Sequence, residues 1–328
     1  MILLWFATCA LLDLPDLLSN EFVDTNCNYI SVCYRNKLCT VFECIVYDRE
    51  ITLLSLIVKV KSYNVNVHND ITDDKLITEK QNQLKETAIH EVRYMNYLSL
   101  LDSNLFVKFY GWQHDEENKE IRILMENCFG DAKYYKSIIK ASPIKYITQL
   151  LTSINTLHSK NVAHRDIKPK NILMCKNGSN INEMVLKLAD FESCTTKIVS
   201  ASYTGTFEYS APENLQFYKE NWKIPENELL STLKGVKFNL KASDMYSIGA
   251  SLGKLLDIMD IDTFNAYTNK SRFDKRFRCY QLNHKWIGNN PILLEFIQTL
   301  THCDPTKRFT ASQAQNFIKH KKRYRSIY

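Results

Sequence analysis

The segment His164-Arg165-Asp166-Ile167-Lys168-Pro169-Lys170-Asn171, followed further on by Asp190-Phe191, carries the residues best suited to chemistry. It offers a carboxylate (Asp166), an ammonium (Lys168), an amide (Asn171) and a second carboxylate (Asp190). A carboxylate can orient a hydroxyl and accept its proton, and an ammonium beside it can steady charge that moves between oxygens. An amide oxygen and a carboxylate are the hard ligands that a small divalent cation prefers alongside phosphate and water. Together these are the requirements of phosphoryl transfer, which leaves a protein little covalent work beyond positioning and charge stabilisation.

Such a set works only if regular elements hold it. Asn171-Ile172-Leu173-Met174 and Val185-Leu186-Lys187-Leu188 read as a hairpin holding Asn171 and Asp190 together, with residues 176–183 a polar extension of its turn. Upstream, Tyr29–Tyr34, Cys44–Tyr47 and Thr52–Val60 are rich in β-branched and aromatic residues and predict strands. Residues 62–85 are polar and read as a loop leading into a helix over Glu86–Leu98, where Ile89, Val92 and Met95 recur at helical spacing. Phe106–Tyr110 and Ile121–Met125 predict two more strands. Beyond Gly130 the pattern turns helical, over Tyr146–His158, Ala242–Leu256, Leu293–Leu300 and Ala311–Ile318. No internal repeat is present.

Composition bounds the rest. A chain of 328 residues with 45% hydrophobic and 12% aromatic residues can bury a substantial core and is not a disordered chain. A net charge of +6 suits a polyanionic nucleotide without marking a nucleic-acid binder, so no nucleic-acid partner is expected. The ten cysteines show no C-x-x-C pair or Cys/His ligand spacing, and buried thiols in a reducing compartment are expected. A disulfide among Cys27, Cys33, Cys39 and Cys44 would belong to an exported chain. Ile2–Leu12 is apolar but too short to span a membrane, and no Lys or Arg precedes it as in an export signal. The expected location is therefore cytoplasmic or nuclear, with secretion the alternative if that segment is a signal. The basic run Lys319–Arg325 reads as a solvated chain end.

The H-R-D-x-K-x-x-N string and the D-F pair closely resemble the catalytic and metal-binding loops of the eukaryotic protein kinases. Gly205-Thr206-Phe207-Glu208-Tyr209-Ser210-Ala211-Pro212-Glu213 likewise resembles the family's G-T-x-x-Y-x-A-P-E. The resemblance spans about residues 28–320 and implies an α+β, two-lobed fold. A small β-rich lobe with one main helix (about 28–128) would precede a larger, mainly helical lobe (about 129–320). An apolar segment (1–27) and a basic tail (321–328) would flank them. It implies a serine/threonine protein kinase using ATP and Mg²⁺ on a protein with a Ser or Thr acceptor, the alternative being a pseudokinase scaffold. Asp166 matches the catalytic aspartate and Lys168 its cationic partner. Asn171 and Asp190 match the metal ligands. Lys59 matches the ATP-anchoring lysine and Glu91 its helix partner, with Lys61 on the same strand face as second candidate. Ile45 falls in the nucleotide-covering segment, and Glu126 and Cys128 in the hinge after the gatekeeper Met125, where backbone would bind adenine; Asp131 could reach the ribose. Glu213, Arg308 and Asp244 match structural positions. Ser202, with Ser200 and Thr204 as alternatives, matches a regulatory phosphosite that would pair with Arg165. Lys59, Asp166, Asn171 and Asp190 are then expected to serve one magnesium-bound triphosphate.

Two departures stand out. Aligned with the glycine-rich loop, residues 38–45 place Leu38, Thr40 and Glu43 at the three glycine positions, where a missing Cβ normally lets backbone N–H groups approach phosphate. Glu43 would add negative charge there, so weaker ATP binding is expected. Glu192 replaces the glycine of D-F-G and should restrict movement of the following segment. The chain also carries insertions between Lys59 and Glu91 and around Leu215–Leu240.

Overall fold

The computed structural model describes residues 27–48, 51–64, 74–178, 183–196, 205–214, 239–258, 290–302 and 304–325. It divides into two compact units, between Cys128 and Phe129. The apolar start, residues 200–204 with the proposed phosphosites, and most of the insertion around 215–240 lie outside the described residues.

The first unit is an antiparallel sheet in the order β1-β2-β3-β5-β4, with one long helix. Its strands are β1 (Cys27–Arg35), β2 (Cys39–Asp48), β3 (Ile51–Ser62), β4 (Phe109–Asp115) and β5 (Glu120–Glu126). Between β3 and β4 runs helix α1, Asp74–Leu101. Alternation along β3 separates two faces. Leu56, Val58 and Val60 are buried with Cys44 in one apolar cluster, and Phe42 and Tyr110 pack against it. Lys59 and Lys61 point the other way, directly opposite Ile123 and Ile121 of β5. Both isoleucines are fully buried, and α1 packs on β4 and β5.

Helix α1 begins twelve residues before its expected start at Glu86, inside a stretch that reads as loop. The reason lies in composition. Residues 74–85 are rich in Lys, Glu, Gln and Leu, all good helix formers, and only Ile77, Gln81, Leu84 and Lys85 are partly covered. A helix that buries so little shows almost no apolar periodicity. Part of the insertion ahead of Glu91 is thus extra helix, about 18 Å of it.

The β1–β2 connection also differs from expectation. Residues 39–43, aligned with the glycine-rich loop, are strand continuous with the expected one at Cys44–Tyr47, and the turn is at 36–38. Asn36 builds that turn: its Oδ1 accepts from the N–H groups of Leu38 (2.9 Å) and Cys39 (2.7 Å). Asparagine does here with its side chain what glycine does with backbone freedom. Ile45 lies within β2, paired with Ser55.

In the second unit, a small sheet of β6 (Gly130–Asp131), β7 (Ile172–Lys176) and β8 (Met184–Leu188) accompanies helices. These are α2 (Lys136–Ala141), α3 (Pro143–Ser159), α4 (Leu240–Leu255), α5 (Pro291–Leu300) and α6 (Ala311–Arg325). Helix α4 is buried along nearly its whole length and is capped by Asn239, whose side chain accepts from Ala242 N–H. Gly249 lets α5 approach it: a Cβ there would meet Thr301 Cγ2 at 2.7 Å and Leu300 Cβ at 2.8 Å. Helix α6 packs on α3, and α3 on β8. The basic run 319–325 continues α6 as helix, with Lys319 and His320 exposed.

Candidate active site

The loop from His164 to Asn171 is held from below by α4. Asp244 accepts three hydrogen bonds: from His164 N–H (2.8 Å, Oδ2), from Arg165 N–H (2.8 Å, Oδ1) and from His158 Nε2 (3.0 Å, Oδ2). A carboxylate that is 1% exposed is tolerable only with such partners. His164, fully buried, sets Nε2 against the carbonyl of Ala189 (3.1 Å) and its ring beside Phe191 (5.6 Å between centroids). The D-F pair is thereby anchored through its phenylalanine.

At the head of the loop three side chains close on one another. Lys168 Nζ donates to Asp166 Oδ2 (2.6 Å) and to Thr206 Oγ1 (2.9 Å), and Thr206 donates to Asp166 Oδ1 (2.9 Å). Asn171 Nδ2 donates to the Asp166 carbonyl (2.9 Å) and to Oδ2 (3.2 Å). Asp166 is thus a carboxylate whose one oxygen faces cation and amide while the other already accepts a hydroxyl. With its nitrogen engaged, the atom Asn171 can present to a cation is Oδ1, a hard oxygen. The β7–β8 hairpin pairs Ile172 with Leu188, and Ala189 N–H donates to the Asn171 carbonyl (3.0 Å). Asp190, the next residue, is therefore delivered close to Asn171. The donor set fits a small divalent cation.

Two residues of this place, Arg165 (φ 71°) and Asp190 (φ 65°), occupy the left-handed region that side chains disfavour. Burial pushes the Arg165 guanidinium below its ordinary value, against the opposing pull of Asp244. Gly205 (φ 116°) brings the far end of the 190–213 segment onto the loop. A Cβ on it would lie 2.6 Å from the Arg165 carbonyl oxygen. At the other end, Thr195 and Ala163 exchange backbone hydrogen bonds (2.9 and 3.0 Å).

Glu213 closes the segment. Its two oxygens receive Arg308 NH1 (2.6 Å) and NH2 (2.7 Å). Arg308 also donates to the carbonyls of His302 (2.6 Å) and Ala242 (3.1 Å), and its guanidinium lies 5.1 Å from the Tyr246 ring centre. Burial beneath this pair pushes the Tyr246 hydroxyl up to about 12.

In the first unit, Lys59 Nζ donates to Glu91 Oε1 at 2.6 Å. Lys61 Nζ lies 2.7 Å from Oε2 of the same residue. Glu126 N–H is committed to the Lys108 carbonyl (2.9 Å), so it cannot serve adenine as a donor. Glu43 shares the Lys59 face, yet its carboxylate is occupied: Oε1 accepts from Asn127 Nδ2 (2.9 Å), and Oε2 from Ser31 (3.3 Å). Asp131 Oδ1 accepts from Tyr134 N–H (2.8 Å). Cys33 is a free thiol, whereas Cys44, Cys128 and Cys175 are disulfide-bonded, which departs from the expectation of thiols throughout.

His158 is not singled out by motif, since a histidine at a helix end carries no distinctive spacing. Strand alternation marks Lys61 as the alternative to Lys59, whereas the structure places both lysines on Glu91.

The family model for the protein kinase domain matches residues 59–320. The chain belongs to the protein kinases, a family that uses ATP and a divalent metal, and the sheet-then-helices order is that of the α+β kinase fold. It is similar to MAP kinase kinase MKK1/SSP32 of Saccharomyces cerevisiae, 34% identical over 135 residues (38% of this chain, 25% of that protein). Serine/threonine-protein kinase nekl-2 of Caenorhabditis elegans is 35% identical over 118 residues (35% and 26%). The 3-phosphoinositide-dependent protein kinase B of Dictyostelium discoideum is 28% identical over 271 residues (74% and 26%). The matches span about a quarter of these relatives' lengths.

Proposed function

We propose that the chain transfers the γ-phosphoryl group of Mg-ATP to serine or threonine hydroxyls of a protein. The observation that carries this is the closed set of Asp166, Lys168 and Thr206 on a loop braced by Asp244. Asp166 orients the acceptor hydroxyl and takes its proton as the new P–O bond forms, while the bond to ADP breaks. Lys168 sits where it steadies charge on the phosphoryl oxygens in transit. Lys59, held by Glu91, binds nucleotide phosphate. Asn171 and Asp190 would hold magnesium, which when bound neutralises phosphate oxygens. The presence of Lys59, Glu91, Asp166, Asn171 and Asp190 together supports catalysis, since drift after its loss would erase at least one of them.

A second reading, a nucleotide-binding scaffold without turnover, is favoured by the Asn36 turn. It consumes the Leu38 and Cys39 amides that a phosphate-cradling loop would present. Purified protein given γ-labelled ATP, Mg²⁺ and a basic protein separates the two. Label on serine or threonine that is lost in Asp190→Asn supports the kinase reading. Nucleotide-dependent thermal stabilisation without label supports the scaffold, and label equal in both proteins refutes the assignment of Asp190.

A further inference from the structure

Two lysines, not one, converge on the buried glutamate of α1. Glu91 is 1% exposed, and Lys59 and Lys61 are 14% and 12% exposed. Strand alternation makes this possible, because residues two apart share a face and stand about 6.6 Å apart along the strand. Each ammonium takes a different carboxylate oxygen. The two contacts are unlike. Lys59 makes an aligned hydrogen bond to Oε1, whereas Lys61 makes a charge contact off the hydrogen-bond line of Oε2.

This geometry bears on nucleotide binding. A lysine that serves both a helix carboxylate and a phosphate must divide three N–H donors between them. If it turns wholly to phosphate, a buried carboxylate loses its cation, which is among the costlier changes a protein interior can undergo. Here a second ammonium stays within 2.7 Å of the same carboxylate. We infer that Lys61 is a positioning residue, which keeps Glu91 and α1 in place while Lys59 engages the nucleotide phosphates. The inference rests on the kinase reading of Lys59. It also fits the place of Lys61 in the sheet, opposite Cys39 and beside the Asn36 turn, where Ser62 N–H donates to the Leu38 carbonyl at 2.9 Å. This is the end of the sheet that lacks glycine.

The test is Mg-ATP affinity by calorimetry, with melting temperature alongside, for wild type, Lys61→Gln, Lys61→Arg and Lys59→Met, each with Glu91 and with Glu91→Gln. Lys61→Gln is expected to weaken Mg-ATP about tenfold. Lys61→Arg should restore affinity to within about threefold. The effect of Lys61→Gln should vanish in the Glu91→Gln background, because Lys61 acts through that carboxylate. Lys59→Met should fold and keep weak binding. Wild-type binding with an unchanged Lys61→Gln overturns the inference alone, as does a loss of the same size in both Glu91 backgrounds. Wild type that binds no Mg-ATP overturns the nucleotide reading together with it. Should Lys61→Gln fail to fold, the arginine variant decides: affinity more than tenfold below wild type in folded Lys61→Arg contradicts a role that any cation can fill.

Discussion

At residue scale, Asp166 is defined by what surrounds it. One oxygen meets Lys168 and Asn171, the other meets the Thr206 hydroxyl. Gly205 makes that last contact possible, since its positive φ and the 2.6 Å approach to the Arg165 carbonyl leave no room for a Cβ. Gly205→Ala is therefore expected to cost about 1–3 kcal/mol of stability and to displace Thr206 from Asp166. Chemical denaturation and transfer rate measured on the same preparation would reveal both; an alanine variant with wild-type stability would show that the segment does not press on the loop as described. Glu43 offers a second case. Because its carboxylate is bound by Asn127 and Ser31, Glu43→Gly should lower stability by about 1–2 kcal/mol instead of simply opening the site to phosphate. A stable variant with tighter ATP binding would restore the view that Glu43 merely repels the nucleotide.

At the scale of elements, helix α4 organises the second unit. It presents Asp244 to the loop, accepts α5 at Gly249, and lies beneath the Glu213–Arg308 pair. Arg308 is fully buried and Glu213 is 18% exposed. Arg308→Met should destabilise the protein by about 3 kcal/mol, the partial exposure of Glu213 placing it at the low end for a broken buried pair. Melting within a degree or so of wild type would refute that brace. The C-terminal side of α4 adds a pH-dependent tie. Hydrogen bonds from Lys136 and Lys140 hold the Asp257 carboxyl below its ordinary value. A depressed folded pKa stabilises above the unfolded value of about 3.9, and that stability disappears as pH falls through the folded value. Asp257→Asn should thus lose a little stability at pH 7 and progressively less as pH is lowered below the unfolded value, as read from denaturation midpoints across that range.

Legibility from sequence followed the strength of local signal. The β7–β8 hairpin and helices α3 to α5 show their apolar periods directly, and their residues match the structure closely. The first twelve residues of α1 were invisible because that stretch buries little. The β1–β2 turn was displaced because a side-chain acceptor, Asn36, replaced the glycines that mark such turns. In the active loop, residue types and spacing were legible, but partners distant in the chain were not. His158 on Asp244, and Lys61 on Glu91, depend on register and helix facing, which no short string encodes.

At the scale of the molecule, each unit holds part of the proposed site on its own framework. The first holds the Lys59–Glu91–Lys61 cluster on a sheet and one helix, and the second holds Asp166, Asn171 and Asp190 on a loop and hairpin. Among the described residues no helix is long and apolar enough to cross a membrane. The kinase match covers both clusters, from residue 59 to residue 320. The central proposal is that Asp166 handles the acceptor hydroxyl during phosphoryl transfer. The most direct measurement is the single-turnover transfer rate at saturating Mg-ATP for wild type and Asp166→Asn, a change that keeps shape while removing the charge and turning one accepting oxygen into a donor. A fall of about 10²- to 10⁴-fold, with the melting temperature nearly unchanged, is expected; equal rates in the two proteins would contradict that role for Asp166.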